Sequence, residues 1–154
     1  MPNETRWERP SAVVKLRPPV VTGKTYRTPT PLGTAFVTVN ENGAGEPFEV
    51  FVNVGKAGSD TAAVSEAVGR LLSLALRLPS PMPAKERVAQ IVTQLGGIGG
   101  RRPSGLGKSK VRSLPDAVAQ VLAEHIGLEE VAIMVSPATK AAIGALKGRK
   151  QGVF

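Results

Sequence analysis

The chain has 154 residues and a formal charge of +8, with 42% hydrophobic residues but only 4% aromatic. It has no cysteine, which excludes disulfides, thiolate metal sites, thiol nucleophiles and dithiol redox chemistry. The basic balance, with a pI near 10.3, favours polyanionic partners: nucleic acid, nucleotides or an acidic protein face.

Residues 1–22 carry Pro2, Pro10, Pro18 and Pro19 among charges and read as an extended arm, either anchored through Trp7 and the Val13–Val14 pair or a free tail. The first residues contain no apolar core of the signal-peptide kind. From Gly33 to Asn40 the chain alternates, with Ala35, Val37 and Val39 on one side and Thr34, Phe36 and Thr38 on the other. Phe48, Val50, Val52 and Val54 line one face of a second strand, with Glu49, Phe51 and Asn53 opposite. An Asn-Gly turn signal between these runs predicts a β-hairpin.

Ser59 or Asp60 caps a first predicted helix, whose apolar stripe reads Val64, Ala67, Val68, Leu71, Leu72, Ala75 and Leu78 before Pro79 stops it. Its apolar run, Leu71 to Leu78, is broken by Ser73 and Arg77 and is too short to span a bilayer. A second helix opens at Pro83, places Val88, Ile91, Val92 and Leu95 on one face and ends at Gly96-Gly97. A third has a capping-box pattern, Ser113 with Asp116 three residues on, and turns Leu114, Val118, Val121, Leu122 and Ile126 inward. Gly127 closes it. Val131 to Val135 reads as a short strand, and Ser136-Pro137 opens a weak helix ahead of the basic tail Lys147 to Lys150. The expected organisation is an arm (1–22), a central domain (23–130) and a short strand/helix with a basic tail (131–154). The expected fold is α+β, an antiparallel hairpin sheet packed against about three helices.

The chemistry concentrates between Gly96 and Asp116, where Arg101, Arg102, Lys108, Lys110 and Arg112 stand among glycines ahead of a helix start. Glycine lets backbone amides approach a ligand, and a helix N-terminus favours negative charge, so these cations are candidates for phosphate, nucleotide or nucleic-acid contact. Lys56, in Gly55-Lys56-Ala57-Gly58-Ser59, is a weaker candidate of the same kind, because Asp60 already offers a carboxylate to that helix end. Neither nucleotide motif fits. Counting back from Gly107-Lys108-Ser109 puts Arg102 where a Walker loop needs its first glycine, and Gly97-x-Gly99 meets the same Arg102 where a dinucleotide fingerprint needs its third. His125, the one histidine, stands near a helix end and suits a surface or helix-dipole role better than that of a catalytic base. The acids are scattered, and no catalytic residues or metal site are read from them.

Three blocks together resemble the TSCPD domain found at the C-terminus of adenosylcobalamin-dependent, class II ribonucleotide reductases. The first is Thr30-Pro31-Leu32-Gly33-Thr34-Ala35-Phe36-Val37-Thr38-Val39-Asn40, and the second is Pro47-Phe48-Glu49-Val50-Phe51-Val52-Asn53-Val54-Gly55-Lys56-Ala57-Gly58-Ser59, followed by Glu66-Ala67-Val68-Gly69-Arg70-Leu71. The third runs from Gly97-Ile98-Gly99-Gly100 through Arg112-Ser113-Leu114-Pro115-Asp116-Ala117. The family's naming Thr-Ser-Cys-Pro-Asp stands here as Arg112-Ser113-Leu114-Pro115-Asp116, so leucine replaces its cysteine, and no cysteine-bearing tail follows.

The resemblance implies an accessory, non-catalytic component of a vitamin B12-dependent ribonucleoside-diphosphate reductase. Its partner would be a separate catalytic chain that holds the adenosylcobalamin. The lack of cysteine, of a signal-peptide core and of a spanning apolar run is read as a cytoplasmic location away from membranes. No cofactor is expected in this chain itself. A free-standing module for phosphate, nucleotide or nucleic acid is the alternative.

Overall fold

The computed structural model describes residues 14–107 and 110–128. The anchor Trp7, the candidate Lys108, and the expected strand at Val131–Val135, last helix and basic tail lie outside the described residues. Among the described residues, three antiparallel strands form one sheet in the order β1 (Thr22–Thr30), β2 (Gly33–Glu41) and β3 (Pro47–Val54), and three helices follow: α1 (Asp60–Arg77), α2 (Ala84–Leu95) and α3 (Leu114–His125). This is the α+β arrangement that the alternating and helical patterns predict.

The hairpin forms as read. Ala35 pairs with Val54, Val37 with Val52 and Val39 with Val50, so one face of β2 and β3 is a continuous apolar layer. Strand β1 is an addition, because Thr-Gly-Lys-Thr-Tyr-Arg-Thr-Pro-Thr has too few apolar residues to signal a strand. It pairs with the remaining edge of β2, placing Tyr26 opposite Val37 on the buried side. Gly33, at φ 112°, makes the tight return between β1 and β2, while Thr30 Oγ1 donates to the Gly33 carbonyl at 2.7 Å.

Leu72 and Leu76 of α1, Val88, Ala89 and Val92 of α2, and Leu114, Val118 and Leu122 of α3 close over that layer. Each valine or leucine taken from water contributes roughly 1.5–3 kcal/mol, so this layer is the main source of stability.

The packing of α1 corrects the expected stripe. Its buried residues are Ser65, Gly69, Leu72 and Leu76, whereas Val64, Leu71 and Leu78 are exposed. The reason lies in β3, an edge strand whose outer backbone needs partners. Ser73 Oγ accepts from the Val50 amide at 2.9 Å and lies 3.0 Å from the Val50 carbonyl, so a helix hydroxyl stands in for a further strand. Approach this close requires small residues. A Cβ on Gly69 would lie 3.0 Å from the Val50 carbonyl oxygen and 3.2 Å from the Val52 amide.

Candidate functional site

The chain leaves α2 at Gly96, turns at Gly97 (φ 81°) and enters the basic loop. The loop folds back on itself: Ser104 and Val111 exchange amide-to-carbonyl bonds, each of 2.7 Å. Its base is fastened by Asp116, in the first turn of α3 and only 3% exposed. One carboxylate oxygen accepts from the Gly97 amide at 2.9 Å. The other accepts from the Arg112 amide at 2.9 Å and from Gln120 Nε2 at 3.1 Å. Ser113 is the N-cap as expected, accepting from the Asp116 amide, and its hydroxyl donates to the Ile98 carbonyl at 2.6 Å. The reciprocal half of a capping box is absent here, because Asp116 is spent on Gly97 and Arg112 rather than on the Ser113 amide. Close contact explains Gly100 as well, since a Cβ there would stand 2.8 Å from the Arg112 carbonyl oxygen.

Asp116 is therefore a structural clamp with both oxygens engaged. Leu114 beside it is buried in the core cluster. Arg101 and Arg102 are exposed on the loop, whereas Lys110 and Arg112 are half-buried on either side of Val111, where the loop returns. Lys56 belongs to a different turn, between β3 and α1, and is exposed there.

A cavity of about 870 Å³ lies away from the basic loop, between the outer side of β3 and α1. Phe51, Asn53, Arg70, Leu74 and Arg77 are among its lining residues. At one end Arg17 Nε donates to both oxygens of Glu49, at 2.9 and 3.1 Å, and Asn40 Nδ2 donates to the same carboxylate. Burial pushes the Glu49 carboxyl up, but hydrogen bonds from Arg17 and Asn40, with the charges of Arg17 and Arg77, outweigh it and hold it below the ordinary range. Lys15 also docks on α1, its amide donating to the Arg77 carbonyl and its own carbonyl accepting from Arg77 Nε.

His125 stands in the last turn of α3, where a helix-dipole role would put it, but the surface half of that expectation is corrected. Its side chain is 3% exposed, not a surface group. Nδ1 lies 2.9 Å from the Tyr26 hydroxyl and Nε2 lies 2.9 Å from Glu41 Oε1, so the ring ties α3 to β1 and β2. Burial, then the charges of Glu124 and Glu41, raise the Tyr26 phenol above its usual value. No local pattern could have announced either set. Arg17 and Glu49 are 32 residues apart, and His125 is 84 and 99 residues from its partners. Among the described residues no group of three or more His, Asp or Glu side chains is placed to hold a metal ion. No helix among the described residues is long and apolar enough to cross a membrane.

A family model for the TSCPD domain matches residues 8–126. The chain belongs to the TSCPD domain family, a domain associated with ribonucleotide reductase. No match was found to a curated protein or to a solved structure.

Proposed function

We propose that this chain is an accessory component of an adenosylcobalamin-dependent ribonucleoside-diphosphate reductase, acting beside a separate catalytic chain that carries the cofactor and the reducing thiols. The observation that carries this reading is the state of the Ser113-Leu114-Pro115-Asp116 motif. Ser113 and Asp116 keep the polar contacts that fasten the basic loop, while the residue between them is a core hydrocarbon rather than a thiol. A motif that fastens a loop but carries no thiol suits a positioning component rather than a redox one. The test is reconstitution. The catalytic chain, supplied with adenosylcobalamin and a thiol reductant, should bind the full chain and reduce ribonucleotides faster in its presence. A rate and a sedimentation profile unchanged by the added chain would refute the proposal.

The exposed pair Arg101–Arg102 favours one further reading, contact with phosphate groups of a nucleotide or nucleic acid. Lys110 and Arg112 stand in the same loop, and Lys108 and Lys56 remain candidates for the same contact.

A further inference from the structure

We infer that the outward side of α1 is a docking seam for an amphipathic helix of a different protein, one whose apolar row is flanked by acidic residues. Val64, Ala67, Leu71 and Leu74, with the C-capping Leu78, follow one another at alternating three- and four-residue intervals. That is the a/d spacing by which one helix receives another. At 3.6 residues per turn the row occupies a strip roughly 80° wide, directly opposite Gly69 and the sheet contact.

Val64 is 61% exposed and Leu71 66%, and Leu74 and Leu78 are exposed too. Packing against β3 asks nothing of these positions, since Ser65, Gly69, Leu72 and Leu76 make that contact. A helix shaped only by its own sheet would be polar here.

Charge identifies the occupant. On one flank the row is bordered by Arg70 and Arg77, and Lys15 is tied to the Arg77 carbonyl. Arg87 sits at the C-terminal end of α1, donating to the carbonyls of Ala75, Leu76 and Leu78. Two acids of α1 adjoin the row: Glu66, paired with Arg70, beside its middle, and Asp60, four residues before Val64, at its N-terminal end. A second copy would bring the same arginines, and another +8, against this surface. An acid-flanked helix replaces that repulsion with attraction. It also gains the neighbouring cavity, whose lining shares Arg70, Leu74 and Arg77 with the seam.

The experiment titrates the full chain with two labelled synthetic helices of about three heptads, both with leucine at the seam positions, flanked by glutamate in one and lysine in the other. The glutamate peptide should bind at least about tenfold more tightly than the lysine peptide. Leu71→Ser with Leu74→Ser should weaken the glutamate peptide by roughly tenfold or more and leave the melting temperature near that of the parent, because both side chains are exposed. Arg70→Glu, also on the surface, should narrow the preference between the peptides. Failure of the glutamate peptide to bind, equal binding of the two, or indifference to the serine pair would overturn the inference. So would sedimentation showing that the chain self-associates through these leucines. The result is independent of the reductase proposal, since the peptides read the seam alone and reconstitution reads the catalytic partner.

Discussion

The backbone amide of Gly97 donates to Oδ1 of Asp116 at 2.9 Å, joining the end of α2 to the first turn of α3 across 19 residues. This bond, with those from Arg112 and Gln120, turns a flexible glycine-rich stretch into a loop with a fixed base. The cations are thereby presented from a clamped frame, and the clamp sets the first expectation.

Asp116→Ala should destabilise the fold by about 1–3 kcal/mol, since it leaves the half-buried amides of Gly97 and Arg112 without acceptors. Asp116→Asn keeps one acceptor oxygen and should cost less. Urea denaturation of the three proteins checks the order, and a loss below that of an ordinary surface substitution would contradict the clamp.

Gly69→Ala sets helix propensity against packing. In an open helix the change gains about 1 kcal/mol, but here the new methyl meets the Val50 carbonyl oxygen at 3.0 Å and the Val52 amide at 3.2 Å. Backbone cannot yield as a flexible side chain does, so a net loss of roughly 1–3 kcal/mol is expected. A raised melting temperature would mean that α1 does not lie so close to β3.

Glu49 gives the fold an acid-dependent term. Its carboxyl is held below the ordinary value of 4.5, so the unfolded chain takes up that proton more readily than the folded one. The contribution is complete above about pH 4.5 and is lost as the pH falls through the lower folded value. Stability measured across the acid range should fall more steeply for the parent than for Glu49→Gln. Identical acid limbs would show that the Arg17–Glu49 pair adds nothing.

Tyr26 is the sole tyrosine, so ultraviolet titration reads it alone. It should ionise above 10.0, because burial and then Glu124 and Glu41 oppose the phenolate. The raised folded value means that its contribution is intact below the unfolded pKa and is lost as the pH rises through the folded one. His125→Ala with Tyr26→Phe in a double-mutant cycle should show coupling of about 0.5–1.5 kcal/mol. Additive losses would dissolve the link between α3 and β1.

For the basic loop, Arg101→Ala with Arg102→Ala should reduce the salt slope of binding to a single-stranded oligonucleotide by about one to two. An unchanged slope would remove these two side chains from any phosphate contact.

Much of this was written locally. Alternation along 33–40 and 47–54 predicts the hairpin, and Ser113 announces the start of α3 through a cap that needs only its own neighbours. The absence of cysteine settles by itself that no thiol chemistry resides in this chain. Strand β1 was not legible, because its ladder comes from the free edge of β2 rather than from an apolar pattern of its own.

The sequence alone determined the period of each element, the caps and the chemistry that its residue types permit. These depend on contacts within a few residues. The tertiary structure decided which side of α1 is inside. Hydrophobic periodicity favours Val64 and Leu71, yet the close approach of a helix to the backbone of an edge strand selects Ser65 and Gly69 and leaves the leucine row outward. It also joined Arg17 to Glu49 and His125 to Tyr26 and Glu41, pairs whose attraction depends on distance through space and leaves no mark on spacing along the chain.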